Sequence, residues 1–187
     1  VKYILSSHYQ GTPYDPYGHK GNLSLRGKYR SIGINRTNFL GLTQIRPYVP
    51  EERRALMWVA EGCNVFNVLA PFYTNVDKTP AYLAETGKLP DTSQFYWANR
   101  LIGALADAHY AQTANLIERY QNSVGGKAHA LIKTGDAGNV TGSVTTYLEG
   151  RNEALADMLQ EETRKVLGQV LYEASNGMKN GFARSDA

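Results

Sequence analysis

Apolar residues recur at helical spacing over two long stretches near the end of the chain, and this feature most limits the possible folds. The first stretch begins after Asp91-Thr92-Ser93, a cluster of favourable N-cap residues. The second runs from Thr145 or Thr146 to Ser175. Each predicted helix has roughly 30 residues, well above the usual ~11–12. We therefore predict two long amphipathic helices within residues 91–175 that pair and cover one face of a sheet.

The middle of the chain, residues 38–76, is typical of a strand meander. Residues 39–46 alternate loosely between apolar and polar side chains, which predicts a first strand. Residues 55–60 are apolar on both faces, which predicts a central strand with cover on both sides. After a turn around Cys63, residues 65–73 form the third predicted strand. The expected sheet is antiparallel with apolar cover on both faces.

The first part of the chain, residues 1–37, is rich in loops. Pro13 and Pro16 disfavour helix at the residues before them, and several glycines follow. At 187 residues the chain is long enough for one domain and short for two. We predict a single α+β segment over residues 1–187, made of antiparallel strands plus two long helices.

Composition excludes several classes of function. The net charge is +3, from 20 Lys and Arg against 17 Asp and Glu, without a basic run, so nucleic acid is not an expected partner. No apolar stretch approaches the ~20 residues that span a bilayer, so no membrane association is expected. The single cysteine, Cys63, rules out an internal disulfide and predicts a cytoplasmic location. Assembly into a homo-oligomer stays open.

Two segments could carry a nucleophile. Ser6, Ser7 and His8 suggest a nucleophile and a base, but neighbours in sequence seldom have the required geometry, and a capping or surface role is the simpler interpretation. Cys63 could be a reactive thiol. A lone cysteine between two buried strands is more often a small apolar residue.

Metal and phosphate sites are not expected. The four histidines show no metal-ligand spacing, and His109 on a helix fits a structural role. Gly125-Gly126-Lys127 lacks the fuller spacing of a phosphate-binding loop and is interpreted as a helix–helix connection.

The loop that leads into the first strand is the more informative candidate. It is long, rich in Pro, Gly and Tyr, and carries Asp15, Arg30 and Arg36. Loops of this kind often form binding sites. The alternative is an ordinary surface loop with solvated charges.

An ordered series of segments resembles the cysteine dipeptidases of the N-terminal nucleophile (Ntn) hydrolase superfamily, which are similar to penicillin and bile-salt acylases. One of these segments is Ala70-Pro71-Phe72-Tyr73. The full series comprises residues 6–18, 29–37, 55–62, 70–73, 95–101 and 181–187. The resemblance covers essentially the whole chain, and its specificity comes from the order of the segments.

The resemblance implies an αββα sandwich, of which this chain is the C-terminal half. It also implies hydrolysis of dipeptides by an N-terminal cysteine whose own α-amino group is the base, without metal or cofactor. Because the chain begins at Val1, the nucleophile is expected upstream in the same polypeptide, and this segment alone is expected to be inactive. The acylases carry an active-site arginine in a comparable place to Arg30, with Asp15 in the loop before it. Arg36 is the alternative to Arg30.

Two other functions compete with this one. A non-catalytic α+β module could bind a partner through the tyrosine-rich loop. A serine hydrolase that uses Ser6 or Ser7 ranks last.

Overall fold

The computed structural model describes residues 1–181 and contains one antiparallel sheet and five α-helices in that range. The strands are β1 (Phe39–Ile45), β2 (Ala55–Glu61) and β3 (Ala70–Tyr73), in the spatial order β1-β2-β3. The α+β class, the meander and the central position of β2 are confirmed. The resemblance noted at residues 182–187 lies outside the described residues.

The helices comprise two short ones and three long ones. They are α1 (Lys2–Leu5), α2 (Ala81–Ala84), α3 (Phe95–Ala108), α4 (Tyr110–Ala137) and α5 (Val144–Asn176). Two 3-10 helices, Leu23–Leu25 and Glu51–Arg53, lie in the connections. The predicted second long helix is confirmed as α5, which packs against both α3 and α4.

The first predicted long helix is wrong in two respects, because it is broken at His109 and continues through Gly125-Gly126. His109 leaves helical geometry with φ −129° and ψ 40°, and the Thr113 hydroxyl bonds the carbonyls of Ala106 and His109 at 3.1 and 2.9 Å. The two glycines lie inside α4 instead of in a loop. Their helix cost of about 1 kcal/mol each is offset by burial of Val124 and its neighbours on the same face.

The third strand is shorter than predicted. Residues 63–67 form a turn, in which the amides of Phe66 and Asn67 both donate to the Cys63 carbonyl at 3.0 Å. The buried Asn67 side chain also donates to the carbonyls of Glu61 and Gly62 at 3.0 Å. These local hydrogen bonds replace the strand ladder that the apolar residues alone would favour.

Apolar cover differs between the two faces of the sheet. On one face Leu56 and Tyr73 are buried in a core shared with the helices, and Ala60 is also buried. On the other face cover is complete at β3, where Ala70 and Phe72 are buried, and absent at β1, where the side chains of that face are exposed. The predicted cover on both faces is therefore present only towards β3.

The outer edge of β3 is closed by one side chain of α5. The Asn152 amide accepts from the Tyr73 N–H and donates to the Tyr73 carbonyl, both at 2.9 Å. The side chain thus takes the place of a neighbouring strand at this position and fixes α5 to the sheet.

Candidate functional site

A cavity of about 420 Å³ lies where the N-terminal loop, the turn after β2 and helix α3 meet. The loop contributes residues around His8, Tyr17 and Asn35, the turn contributes Cys63, and α3 contributes several side chains that include Asp107. Polar and ionisable groups from three distant parts of the sequence therefore face one space.

His8 organises the loop side of this cavity. It is 7% exposed, and its Nδ1 lies 3.0 Å from Oδ1 of Asp15, which is also 7% exposed. Its Nε2 lies 3.1 Å from the hydroxyl of Tyr110 at the start of α4. Both ring nitrogens are engaged, so the loop is bonded to the helices through His8. The predicted surface role of this histidine is wrong.

Two tyrosines connect the same loop to α3 and α4. The rings of Tyr17 and Tyr110 stack with centroids 3.9 Å apart and planes 13° from parallel. The Tyr17 hydroxyl donates to the Asp107 carboxylate, and burial together with this bond raises the pKa of Tyr17. Tyr17 therefore remains protonated and holds one oxygen of Asp107 in place.

Cys63 lines the cavity in surroundings that disfavour its thiolate form. The side chain is half-buried, and burial raises the pKa of the thiol above its usual value. The Asp107 carboxylate acts in the same direction, whereas the Lys2 ammonium opposes it. Because the thiolate is the reactive form, this environment agrees with the interpretation of Cys63 as a small apolar residue.

Lys2 and Ser6 bind α1 to the turn after β2. The Lys2 ammonium donates to the Asn64 carbonyl, to Asn67 Oδ1 at 2.7 Å and to Ser6 Oγ at 2.9 Å, and burial lowers its pKa to about 8. Ser6 in turn donates its proton to the Asn64 carbonyl at 2.7 Å. The Ser6 proton is thus directed at a backbone carbonyl, while both ring nitrogens of His8 are bonded to Asp15 and Tyr110. This arrangement does not pair Ser6 with His8 and argues against the serine-hydrolase alternative that the Ser6-Ser7-His8 segment suggested.

The three residues predicted for the site are not brought together. Asp15 is buried beneath the cavity wall and bound to His8. Arg30 and Arg36 are exposed, one at each end of the 31–35 segment. That segment lines the cavity, although neither arginine does.

Sequence reasoning missed the polar residues of α3 that line the cavity, namely Asn99, Arg100 and Asp107. Arg100 Nη1 donates to the Asn35 carbonyl at 2.7 Å. The buried Asn99 amide donates to the Phe95 carbonyl at 2.9 Å. The available signal was a set of polar residues beside the apolar stripe of a helix, which is also typical of an ordinary solvated helix face.

A second cavity, of about 560 Å³, lies between the sheet and α4. Its walls include Leu56, Trp58 and Ile132, and its buried Arg46 is already paired with Asp136 at 2.5 and 3.0 Å. The first cavity is lined by the predicted N-terminal loop and by ionisable groups of α3, and it is therefore the candidate site.

Two general properties of residues 1–181 bear on the class of site. They contain no group of three or more His, Cys, Asp or Glu side chains placed to hold a metal ion. Over the same range, none of the helices has the length and apolar character needed to cross a membrane.

Comparison with known proteins identifies the class. The profile of peptidase family C69 matches residues 1–123, and the chain belongs to this family. The expected resemblance to a dipeptidase family is confirmed.

Individual relatives are named dipeptidases. A dipeptidase of Bifidobacterium longum is 43% identical over 227 aligned positions, which cover 100% of this chain and 43% of the relative. A probable dipeptidase A of Streptococcus pyogenes serotype M18 is 43% identical over 186 positions, or 100% of this chain and 39% of the relative. Dipeptidase A of Lactobacillus helveticus is 34% identical over 92% of the chain. The chain thus spans well under half the length of these relatives.

Proposed function

We propose that this chain is the C-terminal part of a cytoplasmic dipeptidase that uses an N-terminal cysteine located outside the chain. The observation that carries the proposal is the match of the whole chain, at 43% identity, to relatives named dipeptidases. The sheet is then one layer of an αββα sandwich, and its uncovered β1 side faces the other sheet. Dipeptides are the substrates, and the upstream part of the polypeptide is the structural partner.

The properties of Cys63 support a nucleophile from elsewhere. In the Ntn mechanism the attacking cysteine supplies both a thiol and a free α-amine. Cys63 is the single cysteine of the chain, its nitrogen is part of a peptide bond, and burial raises the pKa of its thiol. It cannot fill both roles.

The proposed reaction proceeds through an acyl-enzyme. The cysteine sulfur attacks the carbonyl carbon of the dipeptide while the α-amine takes the thiol proton and passes it to the leaving nitrogen. The C–N bond breaks and releases the C-terminal amino acid. Water then cleaves the thioester, which releases the second amino acid and restores the thiol.

Asp15, Arg30 and Arg36 have different proposed roles in this scheme. Asp15 is a positioning residue, because its carboxylate holds His8 and accepts the Tyr17 N–H at 3.0 Å. Arg30 and Arg36 are exposed beside the cavity, so either guanidinium could bind a carboxylate or the thiolate.

Cysteine substitutions in the full-length protein test the proposed function. Replacement of the N-terminal cysteine by Ala is expected to abolish dipeptide hydrolysis, and Cys63→Ala is expected to leave kcat/KM within about twofold of wild type. Loss of activity in Cys63→Ala, with normal folding by circular dichroism, contradicts the proposal.

A second pair of variants separates the two arginines. The arginine that contacts the reacting groups is expected to lower kcat/KM for dipeptides at least tenfold when it is replaced by Ala. The Ala variant of the other arginine is expected to keep the wild-type kcat/KM and serves as the control. If both variants keep wild-type kcat/KM, neither arginine belongs to the site.

The competing function, a non-catalytic module that binds through its tyrosine-rich loop, is less well supported. Tyr14 and Tyr29 pack on each other with ring centroids 4.8 Å apart, so much of their aromatic surface is used within the loop.

A further inference from the structure

We infer that Arg100 and Asp107 bind the two charged ends of a dipeptide in the cavity beside α3, Arg100 its carboxylate and Asp107 its ammonium. This inference rests on the proposed function and names the residues that would restrict the substrate to short peptides with free ends.

The spacing of the two residues suits this role. They lie seven positions apart on α3, which is about two turns, so their side chains project from the same side of the helix roughly 10 Å apart along its axis. Both line the same cavity. A dipeptide spans at most about 7 Å, and hydrogen bonds of ~2.9 Å at each end bring it within reach of both side chains.

Each charged group is held in place and still has bonding capacity. One Asp107 oxygen accepts from Tyr17, and Oδ2 has no donor among residues 1–181. Arg100 uses one guanidinium N–H on the Asn35 carbonyl, which leaves further donors of its planar fork for a carboxylate. Tyr17 and Asn35 both belong to the N-terminal loop, so the loop fixes both ends of the site.

An unpaired acceptor next to Arg100 in the same cavity is an independent observation. Asn99 is 1% exposed and lines the cavity, and its Oδ1 has no hydrogen-bond partner within residues 1–181. Its Nδ2 is already committed to the Phe95 carbonyl, which fixes the orientation of the amide. A buried amide oxygen without a donor is unfavourable, and an N–H of a bound peptide would satisfy it.

The cavity has the appropriate size and charge. A volume of about 420 Å³ lies within the usual range for small-molecule sites and accommodates two amino acid residues. A cation and an anion at separate positions complement a zwitterion, whereas a peptide blocked at either end leaves one charge unpaired.

Kinetics of the full-length enzyme on three matched peptides test the inference. The substrates are Ala-Ala, its N-acetyl derivative and its C-terminal amide. Asp107→Asn is expected to lower kcat/KM for Ala-Ala by about 10- to 100-fold and to leave the N-acetyl derivative unaffected, because that peptide lacks the ammonium. Arg100→Gln is expected to have the corresponding effect on Ala-Ala and none on the amide.

Two exposed residues provide charge-matched controls. Glu153→Gln on α5 and Lys88→Gln before α3 remove the same charges away from the cavity and are expected to change none of the three values. If the wild-type enzyme does not cleave a blocked peptide, that peptide is tested as an inhibitor of Ala-Ala hydrolysis. Its inhibition constant is then compared between wild type and the variants in place of kcat/KM.

The outcomes distinguish this inference from the proposed function. An equal decrease on all three peptides, or no decrease in an enzyme that hydrolyses Ala-Ala, overturns the assignment of Arg100 and Asp107 while the dipeptidase function stands. Absence of hydrolysis by wild type counts against the function. In that case calorimetric binding of the same peptides to wild type and both variants decides the assignment, and equal affinities overturn it.

Discussion

At the scale of single residues, the chain contains buried polar groups with and without partners. His8, Asp15 and Tyr110 satisfy one another across the loop and the helices. Glu61 at the end of β2 has no such partner. Its side chain is buried, with the residue 9% exposed, and its Oε2 has no hydrogen-bond donor among residues 1–181. Burial raises the pKa of Glu61 from 4.5 to about 7.

Glu61 should make stability fall as pH rises. Between pH 4.5 and about 7 the folded protein keeps this proton and the unfolded chain does not, so stability present below pH 4.5 is lost as pH rises through the folded pKa. The loss is about 3 kcal/mol from the size of the shift. In Glu61→Gln this part of the pH dependence should disappear, as measured by urea unfolding at pH 4 and pH 8. Glu153→Gln is the control, and an unchanged slope in Glu61→Gln refutes the prediction.

At the scale of elements, the sheet and the helices are joined by specific side chains. Asn152 of α5 bonds both peptide groups of Tyr73 at the edge of β3. Lys2 and Ser6 bond α1 to the turn after β2. These contacts decide where each element sits, because apolar packing alone does not fix position along a strand edge.

Asn152→Leu should be strongly destabilising. The leucine fills similar space but leaves the Tyr73 N–H and carbonyl unpaired, at a cost of about 2 to 4 kcal/mol in the free energy of unfolding. Chemical denaturation measures this cost. The same substitution at exposed Asn115 on α4 is the control and should change stability by less than about 0.5 kcal/mol. Similar values for both variants are inconsistent with a bridging role for Asn152.

The elements differ in how far the sequence predicted them. The bounds of α5 followed from helical periodicity, and the pairing of β1 with β2 followed from two short apolar runs separated by a proline-containing break. The break at His109 and the turn at 63–67 depend on hydrogen bonds from Thr113 and Asn67, which apolar spacing does not reveal.

The candidate site was predicted only in part, for a related reason. Asp15 was identified from its loop, but the contact that joins its partner His8 to the helices comes from Tyr110, 102 residues after His8. Arg100 and Asp107 lie on a helix whose polar positions look solvated in the sequence. Only the fold places that helix face against the N-terminal loop.

At the scale of the whole molecule, the sheet is covered unequally. The β1 residues Phe39 and Ile45 are 55% and 60% exposed on the face opposite Leu56 and Tyr73, and the outer edge of β1 pairs with no strand among residues 1–181. An exposed apolar sheet face of this kind usually packs against another layer. This asymmetry supports the proposed sandwich.

Thiol labelling measures whether that face is covered in the full-length protein. Thr43→Cys lies on the exposed face of β1, and Asn115→Cys lies on the exposed surface of α4. In a Cys63→Ala background, site-resolved mass spectrometry should find labelling at position 43 at least about tenfold slower than at position 115, because burial restricts access to a thiol. Equal rates would show that no second layer covers this face.

The proposed dipeptide hydrolysis depends on an N-terminal cysteine outside this chain. The most direct measurement is to inactivate the full-length enzyme with a dipeptide chloromethyl ketone and locate the alkylated residue by peptide mass spectrometry. We expect one label on the N-terminal cysteine, in proportion to lost activity, and none on Cys63, where burial raises the pKa of the thiol. A stoichiometric label on Cys63 that accompanies inactivation contradicts the claim.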